Sequence, residues 1–411
     1  MKNSKRQRYA AASCVLFGLM TLSVLPVAAH AGGTYHNGML AQAVQPLVDD
    51  HTIAGAVLFV AGKNGILAEE TVGKANIEKQ TPMSRDNMFW VASETKTFTT
   101  VALMMLVDQG KINIADPVSK YLPEFASLQV AQKQADGTTS ALRAPVRPLL
   151  VENLLNHTSS LNNDQPFRKH PGYALKDYVA DLAKLPLTGD PDTKFWYSNA
   201  NFEVLGRIVE AVSGVPYADF ISRNIIQPLG LTNTTFWPDA AQRARLATAY
   251  AYTHEPPGYK AVDEWVPVDL PKDQLTADPA GGLFSNAEDI SRYARMLLRG
   301  GELDGHRYIA AADVRLIGST HTGDVNPQEH GYGYGMMTMS MDHGRDKLVA
   351  PGMFGHEGAW STDFEIDPQD GLVFVTMMQQ TRYAKGKSRN TVYRPFWNAA
   401  IAAFGHSVAN R

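Results

Sequence analysis

The sequence predicts an α/β (α+β) fold, in which one antiparallel sheet flanked by helices carries a mostly helical lobe inserted between its two halves. Three observations predict it. Two short β-rich segments, Ala54 to Ala61 and Ile66 to Val72, meet across a turn at Gly62 to Gly65 early in the chain. Alternating and β-rich segments return only late, at Gly333 to Met341, Ser361 to Ile366 and Leu372 to Gln379. The stretch between is rich in Pro and Asn turns and carries helical rather than strand patterns. A sheet lobe at about 37–116 and 279–405 and a helical lobe at about 117–278 follow, with the cleft between them as the expected ligand site.

Taken in order, the chain opens with Lys2, Lys5, Arg6 and Arg8, an apolar run from Ala10 to Val27, and the small residues around Ala29-His30-Ala31. This is the pattern of a cleavable export signal over residues 1–31, and it predicts a periplasmic or secreted protein without stable membrane insertion once the signal is removed. Residues 32–411 are then the folding unit. Met39 to Leu47 has helical apolar spacing and feeds the early hairpin. Next comes Glu94 to Gln109, with Phe98, Val101, Ala102, Met105 and Leu106 on one face and Gly110 as its stop. Every residue from Val101 to Val107 is apolar, so this helix is expected to be buried on all sides. The helical lobe offers Val151 to Leu155, Lys176 to Leu185, Phe202 to Val212 and Ala218 to Ile226, and an amphipathic helix from Asn390 to Phe404 closes the chain.

The only cysteine, Cys14, lies in the signal, which leaves neither a disulfide framework nor a thiol nucleophile in the 380 residues that follow it. The formal charge of −3 becomes −7 once the four basic residues of the signal are removed, which argues against a nucleic-acid partner and for small-molecule substrates. No internal repeat or low-complexity tract is present. The histidines show no H-E-x-x-H spacing, and the chain has no G-x-S-x-G elbow, so neither a metal site nor the usual α/β-hydrolase is expected.

Three elements carry chemistry. Ser93-Glu94-Thr95-Lys96 is the only S-x-x-K, and it falls at the first turn of the buried helix. There Lys96 can reach the hydroxyl of Ser93, and the free N–H groups of a helix start favour an oxyanion. A lysine desolvated by apolar neighbours can accept the serine proton as a neutral amine. Read alone, the pattern also fits an ordinary N-cap serine with a solvated lysine. The second element is Tyr197-Ser198-Asn199, ahead of a helix: Tyr197 can shuttle a proton, and Asn199 can hold Lys96 or a substrate amide. The third is Gly355-His356-Glu357-Gly358-Ala359, before a strand pattern. Here His356 can face the cleft, Gly358 can admit a substrate backbone, and the N–H of Ala359 can join that of Ser93 in an oxyanion hole. Alternation turns Glu357 away from the side that His356 faces. His321-Thr322-Gly323 competes for this role, but Asp324, Asn326 and Pro327 after it read as loop.

With these elements in this order, the chain resembles the group of class C β-lactamases, D-alanyl-D-alanine carboxypeptidases, D-aminopeptidases and family VIII carboxylesterases. Leu154 to Leu161, Gly281 to Ser285 and Gly331 to Gly335 also look like landmarks of that group. The resemblance implies the β-lactamase/transpeptidase-like fold and no cofactor. It makes Ser93 the acylated nucleophile, Lys96 and Tyr197 its proton-transfer partners, Asn199 a substrate contact and His356 the counterpart of a strand lysine or histidine. No Lys-Thr-Gly or Lys-Ser-Gly occurs, and Ser160 stands where the group commonly has glycine. A histidine holds a substrate carboxylate less firmly than lysine does, which favours esters or D-amino-acid peptides over β-lactams. A class C-like β-lactamase and a catalytically silent penicillin-binding-like module are the alternatives.

Overall fold

The computed structural model describes residues 35–133, 139–162, 173–254, 257–262, 277–326, 331–338, 352–381, 383 and 386–405. The expected export signal and part of the strand pattern at Gly333 to Met341 lie outside them. No helix among the described residues is long and apolar enough to cross a membrane.

The early hairpin forms as the sequence predicts. Helix α1 (Met39–Asp49) precedes β1 (Gly55–Gly62) and β2 (Gly65–Asn76), which pair antiparallel across a two-residue turn. The short β3 (Thr81–Pro82) adds to the outer edge of β2. From the far end of the chain come β4 (Gly331–Tyr332), β5 (Met337–Thr338), β6 (Phe354–Glu357), β7 (Asp363–Asp367) and β8 (Leu372–Met377). All join one eight-stranded sheet of order β4-β5-β6-β7-β8-β1-β2-β3. The two ends of the chain meet where Val57 pairs with Met377 and Gly62 with Leu372, so the sheet closes only when residues more than 300 positions apart come together.

Alternation along these strands builds two apolar layers. Val57, Phe59, Phe364, Ile366, Val373 and Val375 face the helical core. Leu58, Val60, Leu372 and Phe374 face the opposite layer, where α1 and the C-terminal helix α6 (Arg389–Phe404) pack. Helix α2 (Thr95–Asp108) lies in the first layer with every residue from Thr95 to Leu106 buried, as its unbroken apolar run demands. It packs against α4 (Asn199–Ser213) of the helical lobe, and Phe98 stacks on Tyr293 of α5 (Ala287–Leu298) at 4.0 Å. The short α3 (Val151–Leu155) ends just before the Asn156–Ser160 loop that approaches the cleft.

Two departures from the sequence reading have a common cause. Gly333 to Met336 is a turn between β4 and β5 rather than the start of a strand, because Gly335 takes a positive φ of 71° with its Cα against Thr100. The helical lobe also holds two hairpins, Val130–Lys133 with Thr139–Arg143 and Tyr250–His254 with Pro257–Ala261. All these strands are five residues or shorter, too brief to leave a period in the sequence.

Candidate active site

Ser93 lies in a single 3-10 turn, Ala92–Glu94, that runs directly into α2. The strand Phe89–Trp90 delivers it. That strand is tied to the Ala280–Leu283 segment by the Trp90 indole N–H on the Gly281 carbonyl (2.7 Å) and the Val91 N–H on the Leu283 carbonyl (3.1 Å). Ala92 has φ 45°, a conformation that residues other than glycine rarely hold and that marks a sharply presented neighbour.

Lys96 is fully buried, and its Nζ lies 3.1 Å from Ser93 Oγ, 2.9 Å from Asn199 Oδ1 and 2.7 Å from the Ala280 carbonyl. The two carbonyl oxygens can only accept, so two of the amine hydrogens are committed to them. The remaining position faces the serine hydroxyl, as an N–H when Lys96 is an ammonium and as a lone pair when it is neutral. The geometry therefore serves both ends of a proton transfer between Oγ and Nζ. The Ala280 carbonyl owes its place to close packing: a Cβ on Gly206 of α4 would stand 2.3 Å from the Pro279 ring, and Thr99 of α2 donates to the Pro279 carbonyl at 2.7 Å.

Tyr197 stands at the rim, 36% exposed, with its ring centroid 5.0 Å from Lys96 Nζ. Asn199 opens α4 directly beneath it. The structure thus brings Ser93, Lys96, Tyr197 and Asn199 together, and the partner it gives Asn199 is the lysine. Ser93, Tyr197, His356 and Ala359 line one cavity of about 690 Å³, together with Phe195, Trp196, Tyr332 and Met337.

His356 lies on β6, not in the loop before β7, and is fully buried. Its Nδ1 faces its neighbour's carbonyl, Glu357 O, at 2.8 Å and therefore carries a hydrogen; its Nε2 lies 3.1 Å from the Tyr332 hydroxyl. Burial, with Tyr197 adding to it, pushes the Tyr332 phenol well above its ordinary value, so Tyr332 meets Nε2 as a protonated hydroxyl. The ring is held in place between these two partners. Glu357 is on the opposite pleat, as alternation predicts, yet it lines the same cavity beside Asp363 and Glu365 of β7. Burial and the neighbouring Glu357 raise the Glu365 carboxyl to about 8.

One expectation is corrected, and the competing histidine lies elsewhere. Gly358 does not open onto the cavity: a Cβ there would meet Thr362 Oγ1 at 2.3 Å and the Val91 carbonyl at 2.6 Å, so its missing side chain admits the segment that leads to Ser93. His321 is not among the cavity residues; it stacks on Tyr334 at 3.9 Å and bonds the Leu316 carbonyl. Ser160 sits at φ 60°, the left-handed region where glycine costs least. The residues missed in the sequence are Tyr332, Ala280 and His157. Each falls within or beside a landmark stretch, but their roles arise from contacts distant in sequence.

A sharply presented serine beside a buried lysine, on a split antiparallel sheet with a helical lobe, defines the penicillin-recognising class of fold. The profile of the Beta-lactamase family matches residues 40–395, and the chain belongs to that family. It is 30% identical over 358 residues to "Protein Rv1367c" of Mycobacterium tuberculosis (strain ATCC 25618 / H37Rv), an alignment covering 82% of this chain and 88% of that one. With "Penicillin-binding protein 4" of Amycolatopsis lactamdurans it shares 29% over 335 residues, or 79% and 80% of the two chains. Among solved structures it resembles "EstCE1, a hydrolase with promiscuous acyltransferase activity" with a TM-score of 0.71 at 24% identity, covering 89% of this chain and 98% of that one. The fold and family are those of serine hydrolases related to β-lactamases.

Proposed function

We propose that this chain is an exported serine hydrolase that forms an acyl-enzyme on Ser93 and hydrolyses esters or D-amino-acid-containing peptides. The observation that carries the reading is the buried Lys96 amine, committed to Asn199 Oδ1 and the Ala280 carbonyl and aimed at Ser93 Oγ from 3.1 Å. In the proposed reaction Ser93 Oγ attacks the substrate carbonyl as its proton passes to Lys96 or Tyr197. The tetrahedral oxyanion rests on the N–H groups of Ser93 and Ala359. Collapse breaks the bond to the leaving group, which takes the proton, and water then releases the acyl group by the same steps. The reaction needs no cofactor.

The choice of substrate class rests on His356. Held between the Tyr332 hydroxyl and the Glu357 carbonyl, it is an imidazole where a lysine would supply a fixed positive charge to a substrate carboxylate. The carboxyl side chains of Glu357 and Asp363 in the same cavity disfavour an anion further. Phe195, Trp196, Tyr332 and Met337 suit an apolar acyl or alcohol group. The name of the Amycolatopsis relative supports a second reading, a penicillin-binding or β-lactam-hydrolysing protein. A panel of a short-chain chromogenic ester, a D-alanyl dipeptide and a chromogenic β-lactam separates them. Turnover of the ester or dipeptide at least about tenfold above that of the β-lactam, lost in Ser93→Ala, is expected. Turnover of the β-lactam alone would refute the substrate choice.

A further inference from the structure

We propose that His157 is a positioning residue for Tyr197, holding it from both sides of the chain in a single neutral tautomer. The inference rests on the reading that Tyr197 handles the serine proton. His157 follows α3 and is fully buried, with its backbone in the left-handed region at φ 60°. Its carbonyl accepts the N–H of Trp196 at 2.8 Å, and its ring Nδ1 accepts the N–H of Ser198 at 3.2 Å. The two residues that flank Tyr197 are therefore tied through their backbone N–H groups to one residue. The ring itself lies against the Tyr197 ring, with 4.4 Å between centroids.

The hydrogen bonds fix the tautomer. A backbone N–H can only donate, so Nδ1 carries no hydrogen. Asn201 agrees: Ser159 Oγ donates to its Oδ1, which turns its amide nitrogen toward Nδ1 at 2.9 Å as a second donor. The hydrogen is on Nε2, which has no hydrogen-bond partner among the described residues and sits in a cage of Phe195, Tyr197, Phe202 and Tyr332. A proton arriving at Nδ1 would face two donors and release both. The titratable groups around the ring are Lys96 from α2, His356 from β6, and the phenols of Tyr197 and Tyr332. Burial first, then Lys96 and His356, hold His157 well below its ordinary value, so the clamp stays closed at neutral pH.

The test combines two variants, a double mutant and one spectrum. His157→Phe keeps the packed ring and loses the acceptor; His157→Gln keeps an acceptor oxygen for Ser198. The first should lower kcat about 10- to 100-fold with KM changed less than about twofold, and the second should retain activity within about fivefold of wild type. In a Tyr197→Phe background, His157→Phe should cost less than about threefold more, because the residue acts through Tyr197. Side-chain 15N NMR of the wild type should show Nδ1 without a proton at pH 6. Multiplying losses in the double mutant, a loss confined to KM, or a protonated Nδ1 at pH 6 would overturn the proposal. A wild type that never acylates defeats the hydrolase reading itself, whereas an active wild type with any of those results defeats only the clamp.

Discussion

Glu94, the residue after Ser93, gives the chain a pH dependence that can be worked out. Its side chain is fully buried, and neither carboxyl oxygen has a hydrogen-bond partner among the described residues. Burial raises its carboxyl from the ordinary 4.5 to about 8, opposed only by the nearby Thr362 hydroxyl. Below pH 4.5 both folded and unfolded chains hold this proton. Between 4.5 and about 8 the unfolded chain loses it and the folded chain keeps it, so stability falls as pH rises through that window. The loss from this one group is at most roughly 5 kcal/mol. Glu94→Gln removes the titration, at the cost of orphan amide hydrogens worth about 1–3 kcal/mol at every pH. Asp289, Asp313 and Glu365 are also raised and titrate in both proteins, so the difference between variant and wild type isolates Glu94. Urea unfolding from pH 5 to 9 should show the variant gaining on wild type by several kcal/mol across the range. A carboxylate appearing next to Ser93 also opposes an oxyanion there, so the variant should keep ester turnover at pH 9 better than wild type does. Parallel stability curves for the two proteins would refute the reasoning.

Two further predictions concern the cavity wall. Tyr332→Phe removes the hydroxyl that meets His356 Nε2 at 3.1 Å, so the imidazole should turn that nitrogen to an anion in the cavity. Competitive inhibition by a small aliphatic carboxylate should then be stronger in the variant than in wild type; equal inhibition of the two would contradict the assignment. Gly358→Ala forces a Cβ against Thr362 Oγ1 and the Val91 carbonyl, and should destabilise the fold by about 1–3 kcal/mol in thermal unfolding while lowering kcat. A fully stable variant with only KM changed would show that Gly358 meets substrate after all.

What the sequence disclosed follows the range of the interaction. Ser93 and Lys96 are one helical turn apart, and the apolar run that buries them is contiguous, so their pairing needed no knowledge of the rest of the fold. The β1–β2 hairpin is equally local, and the split of the sheet could be read from where strand patterns occur. The Ala280 carbonyl on Lys96 is different, because it depends on Gly206 admitting Pro279, a contact between segments with no common pattern. Tyr332 belongs to a two-residue strand whose partner histidine is 24 positions away, and a strand that short has no period to detect. His157 drew notice only within a landmark stretch, and its link to Tyr197 depends on a left-handed backbone that a histidine does not advertise. Gly358 is ambiguous in the sequence because glycine at a strand end is as consistent with substrate approach as with close packing.

The central claim, that Ser93 is acylated with Lys96 beside it, is tested most directly by intact-protein and peptide mass spectrometry after reaction with a slow acylating ester or β-lactam. One acyl group per chain is expected, on the peptide that contains Ser93, absent from Ser93→Ala and slowed by at least about a hundredfold in Lys96→Ala. An adduct on another residue, or one that forms on Ser93 at an unchanged rate without Lys96, would contradict the account.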